Sequence, residues 1–538
     1  MAMRTKLLLL CLMLLLLPAL RVQATSYTVK AAGGGTFSTI SACAAQAKAG
    51  DTCTIFAGTY NETVTPANSG SAGSPITFAA NPGDAVTVTG WNLGSLNYIT
   101  IQGSAAAPMT VTSGVGWLNI THSVFQYISE NGGGCFGGSG WYQSNQPTAY
   151  NQFLNLTLVS CGGVPAGPAI ELEGDHNLFD GIVCSYAQAC ITISGEFNVI
   201  RNSTFGPTSA AVLGGQHSQP VENSVACGGG AGSTDISGGM QHLLYENNNS
   251  TQWRGGDSHG TALVTDTGSV TCGTTTNVFR FNETMDSGSY STEIYSSLNS
   301  YFYNNAFSDT QLDNGNKDQE DYQFDPNAPN SRTINNIFAN MTQPGSTDWC
   351  IYADTPAVEN HNICFNTGWT GSWNGPSTGN GSSYDSSDIF NKDPLYVAKD
   401  TDLHLQSGSP AIGTGGPLTT ATNSGSSSTS LTVGDSGFFS WGYGIANVQP
   451  DWIRIGPSTT VQISNINYSS NTITLASPVS WSSGSAIYLY KNSNGTIVLN
   501  GTNPNIGFDA AAGTSGGGSS GGGSSTPLPP TNVQAVAK

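Results

Sequence analysis

The sequence predicts an all-β protein: a right-handed parallel β-helix with an N-terminal helical cap and a small inserted antiparallel β domain. Three observations predict this fold. A strand–turn–strand unit recurs along the chain, and the segment before the first unit has the pattern of a capping helix. Charged residues make up only 9% of the 538 residues, and much of the polarity comes from Gly, Ser, Thr and Asn. This composition favours stacked strands with tight turns over helices.

The repeat is clearest when eight segments are aligned on a polar turn residue. The turn residues are Asn155, Gly181, Asn202, Asn247, Asn282, Asn304, Asn335 and His361. The shortest spacings indicate coils of 21–26 residues, with insertions where the spacing is 31 or 35 and two coils where it is 45. So short a coil cannot bury its own apolar face, and stacking solves this. Asn and Gly tolerate the left-handed backbone of a tight corner. We therefore expect an asparagine ladder there, with each amide bonding the next. A β-sandwich with Asn-rich turns is the alternative, but it would not repeat one corner residue.

Residues 1–24 have the pattern of a secretory signal peptide. Arg4 and Lys6 precede an apolar core over residues 7–20, and small residues suited to cleavage follow. A membrane anchor is the alternative, but the apolar core is shorter than the ~20 residues that span a bilayer. No later segment is apolar enough to insert into a membrane. The sequence therefore predicts a secreted or cell-surface protein without a membrane-inserted segment.

The β-helix is predicted over residues 25–416. Residues 37–60 read as an amphipathic helix and a first strand, which a Cys43–Cys53 disulfide would hold over the open end. Alternating short strands with Ser, Asn and Gly turns predict a small β barrel or sandwich over residues 417–501. Residues 502–512 then return to close the β-helix. Residues 513–538 form a Gly/Ser/Pro-rich flexible tail.

The charge of the mature chain restricts its partners. Removing the three basic residues of the signal peptide from the 15 in the chain leaves 12 against 34 acidic residues, a net charge of −22. Nucleic acid and anionic membrane need clustered Lys and Arg, so neither is expected as a partner. Ten cysteines remain in an exported chain, which makes disulfides plausible. Short separations suggest Cys43–Cys53, Cys184–Cys190 and Cys350–Cys364. A monomer is expected.

Two stretches near the N-terminus and one near the end carry a family resemblance. "GDTCTIFAGTY" and "GSPITFAANPGDAVTVTG" resemble the entrance of secreted β-helix proteins related to pectate-, alginate- and chondroitin-cleaving lyases. "DPLYVAKDTDLHLQSGSPAIGTG" resembles the closing coil of bacterial surface β-helix proteins, and "NPNIGFDA" its final segment. The resemblance covers most of residues 27–415. It implies the fold more strongly than any activity.

One outer face is predicted to carry polar residues suited to sugars. In "AIELEG" the strand alternation points Glu171 and Glu173 outward, and the next coil places Thr192 and Ser194 at the same offsets. The further outward residues on this face are Glu293, Tyr295, Tyr352 and Asp354. We expect Glu171, Glu173, Tyr352 and Asp354 to bind an extracellular polysaccharide. A solvated face without a ligand is the alternative.

The stretch "TEIYSSLNSYFYNNAF", residues 292–307, resembles the active-site rung of alginate and chondroitin lyases. In those enzymes the rung reads Glu-Ile-x-x-x-Lys-Ser-x-x-Asn. Its glutamate helps to hold a cation, and its lysine removes the proton beside the uronate carboxylate. Glu293 matches the glutamate, whereas Tyr295 stands at the lysine position and no Arg-His-Gly motif exists in this chain. Tyr295 could act as a base only with a lowered pKa.

A second catalytic candidate is "QWRGGDSHGTALVTD", which brings Arg254, Asp257 and His259 together before an apolar strand. A His–Asp pair can perform acid–base chemistry, although a simple turn is the alternative. A hydrolase would need two carboxylates flanking a glycosidic bond. Glu171 with Glu173, or Glu293 with Asp257, are the pairs that the sequence offers.

The acidic segment 308–325 is a candidate calcium site. Its candidate ligands are Asp313, Asp318, Glu320 and Asp321. Hard oxygen ligands on a flexible loop suit Ca²⁺, and a solvated acidic loop is the alternative. The sequence therefore predicts an exported β-helix protein that binds or processes polysaccharide, with Ca²⁺ as a candidate cofactor. A non-catalytic surface or adhesion platform is the second hypothesis.

Overall fold

The computed structural model describes residues 24–509, except for fourteen internal segments. These segments are 133–134, 138–147, 162–167, 209–218, 224–239, 254–261, 265–274, 288–291, 295–298, 309–319, 325–329, 342–348, 354–357 and 368–384. At residues 219, 222–223, 262–264, 293–294, 320–324, 341, 349, 352–353 and 367 the backbone alone is described. The chain is a parallel β-helix, as the sequence predicts, because its three long strand runs pair in parallel from coil to coil.

Sheet 1 contains thirteen of the described strands in chain order. They are Ser26–Val29, Thr52–Ile55, Ile76–Ala80, Ile99–Gln102, Val124–Gln126, Gln152–Leu154, Leu178–Asp180, Val199–Arg201, Leu244–Glu246, Val278–Arg280, Tyr301–Tyr303, Arg332–Ile334 and Val358–Asn360. Val199–Arg201 pairs directly with Leu244–Glu246. The 45-residue spacing between Asn202 and Asn247 is therefore one coil with a long insertion, and the prediction of two coils is wrong.

Sheet 2 follows sheet 1 within each coil. Its strands are Met109–Val111, Ile128–Asn131, Thr157–Val159, Val183–Ser185, Thr204–Phe205, Asn249–Thr251, Glu283–Met285, Ala306–Ser308, Ile337–Met341, Ile363–Thr367 and Ile389–Phe390. The middle residues of these short strands point inward: Leu158 and Phe307, for example, are fully buried.

Sheet 3 completes the coil and leads back to sheet 1. Its strands are Val115–Gly116, Phe136–Gly137, Thr148–Ala149, Ile170–Asp175, Ala189–Glu196, Gln219–Asn223, Met240–Gln241, Ala262–Val264, Thr292–Ile294, Glu320–Phe324 and Trp349–Ala353. The long strands Gly58–Val64 and Val86–Asn92 pair with each other at the N-terminal end, and Val86–Asn92 pairs with strands of both sheet 2 and sheet 3.

The helical cap is the short helix Ile40–Ala44. Thr39 caps its N-terminus through a hydrogen bond from the Ala42 backbone N–H. The carboxylate of Glu62 accepts hydrogen bonds from the Ile40 and Ser41 backbone N–H groups, which satisfies two more free donors of the first turn. The Cys43–Cys53 disulfide ties this helix to the second strand of sheet 1, Thr52–Ile55.

The corner between sheets 1 and 2 contains an asparagine ladder, one position later than the sequence alignment placed it in most coils. The ladder runs through Asn248, Asn282, Asn305, Asn336 and Asn362. The backbone N–H of each of the first four donates to the side-chain oxygen of the next ladder residue at 2.9–3.0 Å, and that of Asn362 donates to the Asp388 carboxylate at 2.6 Å. Of the predicted turn residues only Asn282 belongs to this ladder.

The other predicted turn residues occupy the left-handed position just before the ladder. Asn304 has φ = 55° there, and in the preceding coil Phe281 takes the same position with φ = 55°. The Asn304 amide donates to the backbone oxygens of Asn505 and Gly507 instead of to another ladder residue. Asn304 therefore holds the closing segment against the β-helix. It accepts one 3.5 Å hydrogen bond from the Asn335 amide, but the continuous ladder runs one position later.

The inserted domain is antiparallel. Its six strands are ordered Thr419–Thr420, Ala486–Lys491, Trp452–Ile455, Thr459–Asn467, Thr472–Trp481 and Gly425–Thr432. A bridge between Ala421 and Val433 connects the first and last strands, so the sheet closes on itself as a small barrel. A single 3₁₀ turn, Tyr468–Ser470, interrupts it.

The polypeptide around the insertion closes the end of the β-helix. The strands Tyr396–Ala398 and Asp402–Leu405 form an antiparallel pair. The segment that returns after the insertion bonds to the chain before the insertion and to the β-helix. The Ile506 backbone N–H donates to the Ala411 backbone oxygen, and the Gly507 backbone N–H donates to that of Asn335. Four disulfides lie among the described residues: Cys43–Cys53, Cys135–Cys161, Cys184–Cys190 and Cys350–Cys364. The three predicted pairs are confirmed.

Candidate functional site

The outer face of sheet 3 aligns several of the predicted polar residues in one column. The register pairs the column coil by coil through Gly137, Glu171, Thr192, Glu222, Leu263, Glu293, Gln323 and Tyr352. We call it the glutamate column, because Glu171, Glu222 and Glu293 recur in it at every second coil. Glu171, Glu293 and Tyr352, which the sequence predicts on one outer face, thus occupy equivalent positions along the β-helix axis.

The best described part of this face lies on the strands Ile170–Asp175 and Ala189–Glu196. Its outward residues are Glu171, Glu173, Asp175, Thr192, Ser194 and Glu196, which we call the acidic face. Four alternate residues, Ile170, Leu172, Ile191 and Ile193, are buried in the core. The predicted stacking of Glu171 on Thr192 and of Glu173 on Ser194 is confirmed by the register.

Two carboxylates of the acidic face, Asp175 and Glu196, did not emerge from the sequence. They lie one coil apart at the edge of sheet 3, where the Asp175 carboxylate accepts a 2.8 Å hydrogen bond from the Glu196 backbone N–H. Each directly precedes a left-handed corner residue, His176 or Phe197. An acidic residue thus stands at the same position in two successive repeats, and this repetition could have identified Asp175 and Glu196 from the sequence.

Two carboxyls of the acidic face, Glu171 and Glu196, have raised pKa values. Burial raises the pKa of the Glu171 carboxyl above its ordinary value. Burial also raises the pKa of Glu196, and the neighbouring Asp175 charge raises it further. Among the described residues no basic side chain offsets either shift. Both carboxylates therefore sit in surroundings that disfavour their charged form.

Two outward residues of this face are largely buried. Thr192 is 8% exposed and Ser194 3% exposed. An outward position on sheet 3 therefore does not by itself leave a side chain open to solvent.

The corner between sheets 3 and 1 carries an outward stack of rings that also escaped the sequence reasoning. It runs through Tyr98, His122, Tyr150, His176, Phe197 and His242 with centroid separations of 4.6–5.1 Å, and Tyr468 of the insertion extends it at 4.4 Å. Sugars bind to exposed aromatic faces, but here each inner ring covers the face of the next. The stack therefore presents ring edges to solvent and does not offer a platform for sugar stacking.

Several predicted site residues lie outside the described residues. These are Arg254, Asp257, His259, Tyr295, Asp313, Asp318 and Asp354. Glu293, Glu320, Asp321 and Tyr352 lie on sheet 3 strands at positions where the backbone alone is described. The acid–base roles predicted for Arg254, Asp257, His259, Glu293 and Tyr295 stay predictions.

Two carboxylate pairs were suggested for hydrolysis. Glu171 and Glu173 lie on the same face of one strand, two residues apart, so their Cα atoms are about 7 Å apart. The second pair, Glu293 with Asp257, includes a residue outside the described part of the chain. As for metals, no group of three or more His, Cys, Asp or Glu side chains within the described ranges could hold an ion.

The comparisons with known proteins concern the fold. No protein-family model matches the sequence, and no curated protein matches it. Among solved structures the chain is similar to the pectate lyase Pel9A at 14% identity, covering 73% of this chain and 92% of that one with a TM-score of 0.32. It is similar to XylC, solved in complex with xylose, at 11% identity over 90% and 98% of the two chains with a TM-score of 0.38.

A third similar structure is the PL6 family polysaccharide lyase Pedsa3628 from Pseudopedobacter saltans. The identity is 11%, the coverage is 63% of this chain and 92% of that chain, and the TM-score is 0.32. Scores of this size say nothing about what the present chain binds or cleaves. Within the described residues no helix has the length and apolar character of a membrane crossing.

Proposed function

We propose that this chain is an exported β-helix protein that binds an extracellular polysaccharide along the outer face of sheet 3. The glutamate column carries the proposal, because six of its seven positions from Glu171 to Tyr352 on successive paired strands, all except Leu263, are polar residues. A line of this kind suits a long polymer better than a small molecule.

Export is supported by the cysteines as well as by the predicted signal peptide. All eight cysteines that form the four described disulfides are buried or tied into strands of the β-helix. Disulfides of this kind form and persist in oxidising compartments. A secreted or cell-surface location is therefore part of the proposal.

Processing of the polymer and a role for Ca²⁺ form the finer part of the proposal. Strand Glu320–Phe324 pairs with strand Thr292–Ile294, and Gln323 lies beside Glu293. Two of the candidate calcium ligands, Glu320 and Asp321, are thus on the coil that follows Glu293. Ca²⁺ near Glu293 would supply positive charge to a uronate carboxylate, which eases removal of the adjacent proton.

The test is a glycan panel applied to the full chain with and without Ca²⁺. The panel contains uronate-containing, neutral and amino-sugar polymers, and it is read by direct binding, by absorbance of unsaturated products and by new reducing ends. Binding to at least one polymer is the expected result. Binding without turnover under every condition would favour the non-catalytic platform. Neither binding nor turnover across the panel would refute the polysaccharide function.

A further inference from the structure

One outer face of the inserted barrel combines aromatic rings with cations. It lies on the neighbouring strands Trp452–Ile455 and Ala486–Lys491, and it includes Ile497 beside them. On these strands the alternate residues Ile453 and Leu489 are buried in the barrel core, so the others face away from that core. We call the outward set the basic patch, and its members are Trp452, Arg454, Tyr488, Tyr490, Lys491 and Ile497.

The basic patch holds its two cations against its rings. The strand register sets Trp452 opposite Lys491, and the Lys491 Nζ lies 5.0 Å from the Trp452 ring centroid and 5.9 Å from that of Tyr490. The Arg454 guanidinium carbon lies 4.5 Å from the Tyr488 ring centroid. Contact with a ring orients a cation but leaves its positive charge in place.

Neither cation of the basic patch forms an ion pair within the part of the chain that the structure describes. By contrast, Arg201 and Arg280 contact carboxylates at 2.8 Å or less. The Arg454 guanidinium donates to the backbone oxygens of Gly501 and Thr502, and its buried Nε has no hydrogen-bond partner. The mature chain has 12 basic against 34 acidic residues. Two neighbouring cations without acidic partners therefore form a local positive site on an acidic protein.

The groups on the basic patch suit a sugar that carries an acidic group. A lysine ammonium donates charge-assisted hydrogen bonds to carboxylate or sulfate oxygens. Trp452 and Tyr490 flank Lys491 with rings that have an apolar body and a polar tip. Ile497, which bridges to Lys491, is 41% exposed and adds aliphatic surface for the C–H face of a sugar ring.

The surrounding charge restricts how many acidic groups the ligand can have. A densely charged polyanion would extend from the basic patch over a chain whose acidic residues outnumber its basic ones, and like charges repel. A glycan with a single acidic sugar places its negative charge at Lys491 alone, and its neutral sugars meet no such repulsion. The basic patch therefore favours an isolated acidic sugar over a polyuronate or a nucleic acid.

We propose that the basic patch binds a glycan in which one sugar carries a carboxylate or a sulfate ester and the rest are neutral. The acidic group pairs with Lys491, and its sugar packs against Trp452, Tyr490 and Ile497. Arg454 adds positive charge from beneath the surface and holds the closing segment. This site is separate from the outer face of sheet 3, so it goes beyond the proposed function and does not depend on it.

The experiment measures binding of the full chain to four oligosaccharides of equal length. The first is a neutral β-1,4-linked oligosaccharide with one terminal glucuronate, and the second is the same compound with its carboxyl reduced to an alcohol. The third carries one sulfate ester in place of the carboxylate, and the fourth is an oligogalacturonate. We expect the glucuronate or the sulfate probe to bind at least tenfold more tightly than the reduced probe. Added salt should weaken that binding.

Three variants locate the binding. Lys491→Gln removes a charge that makes no ion pair in the described structure, so the fold should be retained, which circular dichroism checks. This variant should weaken binding of the acidic probe about tenfold and bind it no better than the reduced probe. Lys491→Arg keeps the charge and should retain most of the affinity. Lys399→Gln removes an exposed lysine of the closing hairpin, which pairs only with its neighbour Asp400 in the described structure, and should bind as the native chain does.

The outcomes separate the basic patch from the outer face of sheet 3. Equal binding of the acidic and reduced probes, tightest binding of the oligogalacturonate, or the same affinity in Lys491→Gln and Lys399→Gln would overturn this proposal. Failure of all four probes to bind would also overturn it. Binding of other polymers in the glycan panel, unaffected by Lys491→Gln, would leave the proposed function standing without a site on the barrel.

Discussion

Two outer faces of the same β-helix differ in their charges: sheet 1 carries a row of alternating sign, and sheet 3 carries carboxylates. On sheet 1 the residue before the left-handed corner alternates in sign through Asp180, Arg201, Glu246 and Arg280, and the insertion covers this row. Arg201 contacts Asp180 at 2.8 Å, and Arg280 contacts both Glu246 and Asp451. On sheet 3 the acidic face has one sign only. Pairing allows the first row to be buried as an interface, whereas on the second face burial raises the pKa of Glu171 and Glu196.

The covered row fixes the position of the insertion. Arg280 is fully buried and its guanidinium donates to both carboxylate oxygens of Asp451 at 2.8 Å and to the Tyr303 hydroxyl at 2.8 Å. Around it, the outward residues Leu178, Val199, Leu244 and Val278 form one apolar cluster with the barrel. Apolar contact supplies the burial, and the charged row sets which part of the barrel meets which coil.

The largest expected effect comes from breaking the covered row at Arg280. The substitution Arg280→Met leaves the buried Glu246 and Asp451 carboxylates without their counter-ion, and such losses cost about 3–5 kcal/mol. Urea-induced unfolding would measure the change in free energy. A triple variant with Glu246→Gln, Arg280→Met and Asp451→Asn should recover part of the loss. If the single and triple variants lost the same free energy of unfolding, the loss would come from packing and not from unpaired charges. The contrast between the paired row of sheet 1 and the acidic face of sheet 3 would then not hold.

A buried carboxyl without a counter-ion should respond to pH. Glu130 points into the core, is 1% exposed, and one of its carboxyl oxygens accepts from the Cys135 backbone N–H at 3.1 Å while the other has no partner. Burial raises its pKa from 4.5 to about 7. The folded state therefore binds the proton more tightly than the unfolded chain does, and stability falls as pH rises from about 4.5 to about 7.

The variant Glu130→Gln removes that titration. At pH 5 it should match the native chain, and at pH 8 it should be more stable by on the order of 1–3 kcal/mol, the range for a buried polar group left unpaired. Unfolding midpoints at the two pH values would measure the difference. A native chain whose stability exceeds that of the variant at pH 8 would show that Glu130 is paired and charged in the fold.

The sequence predicted the β-helix because its repeat is physical: each coil needs a strand, a tight corner and another strand. It misplaced the ladder, because Asn is favoured both in the left-handed position and in the ladder position that follows. The coil with Phe281 has one asparagine, Asn282, where the next coil has Asn304 and Asn305. Only the strand register, which pairs Arg280 with Tyr303, shows that Asn282 matches Asn305. The alternating row of sheet 1 was visible as charges at one offset in successive repeats. Its partners, Asp451 and Ser493, lie more than 170 residues further along the chain from Arg280 and Arg201, a distance no repeat pattern specifies.

A smaller effect is expected at the edge of the covered row. Asp180 is 24% exposed and pairs with Arg201, which also donates to the Ser493 and Asn447 backbone oxygens. Because Arg201 retains those partners, Asp180→Asn should destabilise the chain by only about 1 kcal/mol. The same unfolding assay, repeated in high salt, should show the difference shrink. A loss as large as that of Arg280→Met would contradict the view that burial sets the importance of each pair.

The smallest expected effect is on the acidic face. Glu171→Gln removes a charge that burial disfavours and that makes no hydrogen bond to the described residues, so the free energy of unfolding should change by less than about 0.5 kcal/mol. Because burial raises the pKa of Glu171, the native chain above that pKa holds a charge that burial destabilises. The variant should therefore be slightly more stable than the native chain at such pH values. A destabilisation above about 1 kcal/mol would mean that Glu171 has a structural partner. The acidic face would then be a paired surface like the row on sheet 1, and its carboxylates would not be free for a ligand.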